Sequence, residues 1–252
     1  MQTDVSSTED GKANLQPDVV PSSSTTTTTT TTTTETMSSG GIPLTSIDRE
    51  ILAMKDSDFH LLTWSDLRHI ILDKNALEEL KRRPSDLRRY VAWSADIKSQ
   101  YGGITSYVIR ERLHWPPVDT SAAVPTFAYH NAEPFADDRD YQILLNDWPY
   151  GLEEGIKHLV VWTKALIETD GTVGDVTPAS RKVIESFVET RFVRDLDEAL
   201  GVGEGKERVL WFKNWVSLQS VRGVDHIHLM IRGAPEKVLD GWLKRTSEPL
   251  EW

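Results

Sequence analysis

From Thr45 onward, apolar residues recur at helical spacing in short runs that open on capping signals. Thr45 and Thr63 are each followed three residues later by an acid (Asp48, Asp66), the reciprocal pattern of a helix start. Ile47, Ile51, Leu52 and Met54 predict one short helix. Trp64, Leu67, Ile70 and Ile71 predict a second, and Leu77 and Leu80 a third short piece before Pro84. Ser85 reads as the cap of a longer helix burying Leu87, Tyr90, Val91, Ala95 and Ile97 and ending at Gly102-Gly103. Thr105 to Trp115 predicts a further helix, stopped by Pro116-Pro117.

Beyond Pro117 the period shortens. Tyr141–Leu145, Ile156–Trp162, Arg208–Phe212 and His226–Ile231 predict strands, with an edge strand at Thr126–Tyr129. Thr177-Pro178, a cap followed by an N1 proline, opens a helix that presents Val183, Ile184, Phe187, Val188, Phe192 and Leu196 and stops at Gly201. Pro235–Leu243 predicts a closing helix. The pattern is that of one α+β domain over 45–252, with a helical region at 45–117 and an antiparallel sheet with helices at 118–252. Residues 1–44 hold few large apolar side chains and ten consecutive threonines, Thr25–Thr34, and are expected to form a disordered tail.

Composition narrows the function. The 252 residues contain no cysteine, which excludes disulfide scaffolds, thiolate metal sites and cysteine nucleophiles. The net charge is -11, of which the tail holds five acids against one base, a net of -4. That balance argues against nucleic acid or an anionic membrane as partner. No apolar run spans a bilayer and the N-terminus carries no signal-peptide pattern, so a soluble cytoplasmic protein is expected.

The chemistry concentrates in Asp225-His226-Ile227-His228-Leu229-Met230-Ile231. On a strand, His226 and His228 share a face, about 6.5–7 Å apart along the chain, while Ile227, Leu229 and Ile231 face a core. Two imidazoles on a buried strand are costly without partners. They suit a metal site, a phosphoryl-transfer site or a structural hydrogen-bond network. A metal would need a third donor such as His158 or Asp225, because Ile231 and Arg232 stand where a barrel metal site carries its Glu. For phosphoryl transfer, a neutral imidazole is a competent nucleophile and the oxygens need donors. Asn146, His158, Lys164, Asn214, Gln219, Ser220 and Arg232 supply that inventory, and Trp148 is a candidate stacking wall.

The order Leu145-Asn146, Trp148-Pro149-Tyr150, His158-Leu159-Val160-Val161-Trp162-Thr163-Lys164, a long helix, Gln219-Ser220-Val221 and His226-Ile227-His228 resembles the histidine triad superfamily. That resemblance implies a nucleotide-binding antiparallel sheet in which His228 is the nucleophile and His226 its orienting partner. The chain departs from the pattern in carrying Met230 as the third member and three extra residues, Gly223–Asp225, before the histidines. A longer resemblance covers Asn146–Gly151, His158–Lys164, Phe212–Trp215, Ser217–Arg222 with the His-x-His strand, and the Tyr101–Arg112 segment. These blocks are similar to the fungal N-acetylglucosamine-induced protein 1 family, and imply a fungal, cytoplasmic protein linked to an amino-sugar response.

The reading that follows is a site for a phosphorylated small molecule, a nucleotide or nucleotide sugar. Hydrolysis or transfer at its α-phosphate would be the reaction, and no cofactor is called for. The competing readings are a non-catalytic regulatory or scaffold protein on the same fold, and a His-x-His metal site. Gly201–Gly205 follows a helix and precedes a strand, the reverse of a phosphate loop, and reads as a helix stop. Asp137, Asp138 and Asp140 read as a solvated loop, and His130 has no constellation around it.

Overall fold

The computed structural model describes residues 42, 44–119, 122, 124–172 and 174–244. The polythreonine run and the rest of 1–41 lie outside the described residues. Ile42, expected in the tail, instead packs against the cluster of Ile51, Leu87 and Tyr90, so ordered packing begins before Thr45.

Four antiparallel strands form one sheet in the order β1-β2-β4-β3: β1 Tyr141–Leu145, β2 Ile156–Thr163, β3 Val209–Phe212 and β4 Asp225–Arg232. All four expected strands form within a residue or two of their predicted bounds. The expected edge strand at Thr126–Tyr129 does not. Pro125 stands just before the run, Phe127 turns inward onto Trp115, and the Thr126 carbonyl accepts the Val118 N–H.

Helices cover both faces. Both capping boxes form as the spacing predicts, Thr45 with Asp48 and Thr63 with Asp66, opening α1 (Ser46–Ala53) and α2 (Trp64–Arg68). The latter continues through a wide turn, His69–Lys74. Helix α3 is Pro84–Tyr101; its cap is Arg83 with Pro84 at the first turn, not Ser85. Ser85 lies inside the helix and bonds Asp56 by both its N–H and its hydroxyl. Ser94, rather than Ala95, fills the buried position of that face. Helix α4 (Ile104–Tyr107) runs on through Val108–Leu113, and α5 (Pro178–Val188) continues through Glu189–Val193 into α6 (Arg194–Leu200). Helix α7 is Glu236–Lys244.

Strand parity sorts the side chains. Ile143, Leu159, Val161, Ile227, Leu229 and Ile231 form a dry core with Ile184, Phe192 and Leu196 of the α5–α6 run and Trp242 of α7. The opposite face meets the N-terminal helical region in two patches. Met230, Leu210, Phe212 and Ile156 pack on Trp64, Leu67, Ile70 and Leu77, while Val160 and Trp162 pack on Val108, Ile109 and Leu113. His158, His226 and His228 lie on this second face, in the strip that the two patches leave between them. No helix among the described residues is long and apolar enough to cross a membrane.

Candidate functional site

The register explains how three histidines converge. Val160 is opposite His228 and Trp162 opposite His226, so His158 is the diagonal neighbour of His228 on the same face. Its Nε2 lies 2.9 Å from His228 Nδ1. The rings of His226 and His228 stand 5.3 Å apart, edge to face. All three are buried against aromatic rings: His158 stacks on Tyr150 and His228 on Phe212, and His226 lies tilted against Trp162.

Amides complete the cluster. Asn146, just past β1, extends the ladder through its N–H to the His158 carbonyl. Its amide nitrogen reaches His158 Nε2 at 3.2 Å, and its oxygen accepts the Trp148 N–H. Asn214 Nδ2 donates to His228 Nε2 at 3.2 Å. With that donor in place, Nδ1 of a neutral His228 carries the proton and donates to His158 Nε2. His226 Nδ1–H donates to the Val224 carbonyl at 2.8 Å, which leaves its Nε2 unprotonated. Gln219 donates to the backbone carbonyl of Asn214 and holds that loop.

Burial keeps the rings neutral. It pushes His158 down to about 3 and His226 to about 4, with Arg82 adding to the first and Lys213 to the second. His228 is held well below its ordinary value by burial, then by His158, His226 and Arg82. These are hydrogen-bonding and nucleophile-competent imidazoles at neutral pH, not cations.

His226 and His228 form the floor of a cleft of about 120 Å³. Asn146, Trp148, Asn214 and Ser220 line it, with an aromatic wall of Tyr90, Trp93, Tyr107 and Trp162. Trp148 sits 5.2 Å from Trp93 and 5.4 Å from Tyr90, ring centre to centre. Arg112 and Asp147 pair at 2.8 Å in the cleft wall. Burial raises the Asp147 carboxyl against the pull of that guanidinium.

Arg82, which the sequence reading passed over, is a second cation of this cleft beside the paired Arg112. Its Nε donates to the Trp148 carbonyl at 3.1 Å and its guanidinium lies over Tyr90 at 4.3 Å. Among the described residues no carboxylate comes within ion-pair distance of it. Nothing local marked it out, because Lys81-Arg82-Arg83 reads as a charged surface run.

Two expected site residues lie elsewhere. Lys164 follows the end of β2, where the chain turns; its Nζ meets the Arg139 carbonyl at 2.8 Å and Asp140 at 3.7 Å. Arg232 ends β4 on the histidine face, four residues from His228, and lies over Trp64 at 5.1 Å. Trp211 faces the other side of the sheet, under Arg181, and Trp215 packs with the Met230 patch. His158 joins the cluster beneath the cleft without lining it, and Gln219 lines a neighbouring hollow.

Of the two candidate third donors for a metal, His158 does converge on the pair, but its Nε2 is taken by His228 Nδ1 and, among the described residues, the three rings do not each bring a nitrogen within one ion's reach. Asp225 points to the opposite face, where it meets Lys213 and the Ile167 N–H. Among the described residues, the donors that do gather within one ion's reach are His130, Asp137 and Asp140. That group is a bonded hub: Asp140 is 1% exposed, accepts the His130 and Asn131 N–H groups, and meets His130 Nδ1 at 3.1 Å. Asp137 is taken by Arg139. The expectation of a solvated loop with an isolated His130 is corrected accordingly.

Fold and site together define an α+β protein whose sheet offers a histidine-floored cleft with an aromatic wall and one unpaired guanidinium. Residues 63–232 match the family described as "Protein of unknown function (DUF3605)", and the chain belongs to that family. It is 31% identical to N-acetylglucosamine-induced protein 1 of Candida albicans, over 71% of each chain. It is 28% identical to an uncharacterized protein of Saccharomyces cerevisiae, over 74% of this chain and 91% of that one. Among solved structures, the crystal structure of HTC1 is similar, with 26% identity, a TM-score of 0.53, and coverage of 75% of this chain and 99% of that chain.

Proposed function

We propose that the cleft binds a phosphorylated small molecule, a nucleotide or nucleotide sugar, and that His228 faces its α-phosphate. The observation that carries this reading is Arg82, a half-buried guanidinium without a carboxylate partner that lines the same cleft as His226 and His228. Such a cation in a low-dielectric cleft favours an oxyanion that offers two oxygens to its fork of donors, and a tetrahedral phosphate does so. The Asn146 and Asn214 amides and the Ser220 hydroxyl add neutral donors, and the Trp148–Trp93–Tyr90 wall suits a base. The histidine-triad-like order of Leu145-Asn146, the β2 segment, Gln219-Ser220-Val221 and His-x-His supports it from the sequence side.

If transfer occurs, His228 Nε2 forms a bond to the α-phosphorus as the P–O bond to the leaving group breaks. That leaving oxygen takes a proton from solvent, and water then cleaves the P–N bond. The test compares the wild type with Arg82→Ala and His228→Ala by calorimetric titration of nucleotides, and looks for an acid-labile label from α-labelled nucleotide. Binding weakened at least tenfold in both variants supports the site; equal affinities remove it. A label absent from His228→Ala assigns the nucleophile.

A second reading is favoured by one observation: both ring nitrogens of His228 already have partners, His158 and Asn214. On that reading the cluster is a structural network and the protein a non-catalytic regulatory or scaffold protein. It predicts that Asn214→Ala lowers stability without moving any ligand affinity.

A further inference from the structure

We propose that the histidine cleft is one chamber of a two-chambered site whose ligand class is the nucleoside diphosphate sugar. The inference rests on the proposed function above and narrows it. Beside the cleft lies a second hollow of about 360 Å³. The two share Arg82, Tyr90, Ile104, Tyr150, Asn214, Leu218 and Ser220 as walls and so lie side by side, with those residues as the waist through which the ligand would pass. The waist holds the Arg82 cation, and its Asn214 amide is bonded to His228.

The chambers differ in chemistry. The cleft has an aromatic lining of its own, Trp93, Tyr107, Trp148 and Trp162. At about 120 Å³ it has room for several waters or one planar ring system. The second hollow adds no aromatic residue beyond the shared Tyr90 and Tyr150. It brings instead Glu78, Lys81, Ser217, Gln219 and Arg222 over an apolar floor that includes Leu77 and Leu80. Mixed donors and acceptors above aliphatic carbons match a polyhydroxylated ring, whose hydroxyls need both and whose C–H face packs on apolar surface.

Each alternative leaves part of this surface unused. A mononucleotide fills the aromatic chamber and the waist and leaves the larger hollow to water. A dinucleoside polyphosphate brings a second base to a chamber with no stacking partner of its own. A free sugar phosphate leaves the aromatic wall bare. A diphosphate bridging a base to a sugar places its charge at Arg82 and its two ends in the chambers that suit them.

The experiment titrates the purified full chain with UDP, UDP-glucose, GDP, GDP-mannose and diadenosine tetraphosphate. The same set is run on Ser217→Trp, an exposed position where the indole would fill the polar chamber. A thermal melt confirms that the variant folds. In at least one series the sugar conjugate should bind at least tenfold tighter than its diphosphate, with the gain erased in Ser217→Trp and the diphosphate unaffected. Diphosphates that bind as tightly as their sugar conjugates, or a gain that survives Ser217→Trp, overturn the two-chamber inference and leave the nucleotide site standing. Diadenosine tetraphosphate binding more tightly than every sugar conjugate overturns it in favour of two bases. Absence of binding by all five ligands overturns both.

Discussion

His158 and His228, 70 residues apart in sequence, share a hydrogen bond of 2.9 Å across the β2–β4 ladder. The bond is diagonal rather than direct, because His158 is opposite Met230 and His228 opposite Val160. It commits one nitrogen of each ring; Asn214 takes the other nitrogen of His228, while the Asn146 amide nitrogen lies 3.2 Å from the same His158 Nε2. A buried row of neutral imidazoles is therefore part of the sheet's own cohesion, whatever the cleft above it binds.

That row makes stability depend on pH in a definite direction. Unfolded histidines titrate near 6.5, whereas His226 stays neutral to about 4 and His158 to about 3. Between those values the unfolded chain binds more protons than the native one. Stability is thus full above about pH 6.5 and falls as the pH drops, by about 1.4 kcal/mol per pH unit for each such histidine. Urea midpoints from pH 7.5 to 4.5 should show a shallower fall for His226→Gln than for the wild type. Parallel curves would mean that His226 is not held neutral.

The charge state of His228 should respond to its amide partner. Asn214→Asp places a carboxylate where the amide now lies 3.2 Å from Nε2, favouring the imidazolium. Histidine-selective NMR titration should show His228 protonating at higher pH than in the wild type. If the cleft binds a nucleotide as proposed, its affinity should fall as the new negative charge faces the phosphate. An unmoved His228 titration would place Asn214 outside its immediate field.

Much of this was legible in the chain, and what was not has physical causes. Period-two parity put His226 and His228 on one face, and it did so because a strand fixes direction locally. Both capping boxes declared their helices for the same reason: donor and acceptor lie three residues apart. Nearness along the strands also grouped Lys164 and Arg232 with the histidines, and there it misled. The strand ends at Thr163, so Lys164 turns to Asp140, while Arg232 lies four residues, about 13 Å, from His228 along β4. Arg82 was invisible because its role comes from tertiary packing of the segment before α3 against the waist, which no local pattern encodes. The Thr126–Tyr129 run had strand composition, but Phe127 packs inward on Trp115 and the run does not join the sheet.

Gly151 should tolerate no side chain. Its N–H donates to the Lys81 carbonyl and its carbonyl accepts the Leu62 N–H, both at 2.8 Å, so the backbone is pinned. A Cβ there would come within 3 Å of both the Phe59 ring and Arg83 Cγ. Gly151→Ala is expected to cost about 1–3 kcal/mol through overpacking. Because Lys81 adjoins Arg82, nucleotide affinity should weaken as well. Chemical denaturation and titration of the same preparation check both, and a variant as stable as the wild type would show that the Phe59 ring yields freely.

Behind the floor of the cleft, Lys213 and Asp225 pair at 3.1 Å, with Lys213 only 4% exposed. They flank the two site residues next to them in sequence, Asn214 and His226, and Asp225 also accepts the Ile167 N–H at 3.1 Å. Lys213→Met would leave the Asp225 carboxylate without its counter-charge, a loss of about 3 kcal/mol by analogy with other broken buried pairs. Lys213→Met with Asp225→Asn removes both charges while the Asn oxygen keeps the Ile167 bond, so it should recover most of that loss. A double-mutant cycle read by urea denaturation gives the coupling. If the double variant is as unstable as the sum of the singles, the pair contributes no coupling and the two residues act by packing alone. If coupling is found, the His226 resonances should move in Lys213→Met and return toward wild type in the double variant, because the ion pair fixes the strand end that carries that ring.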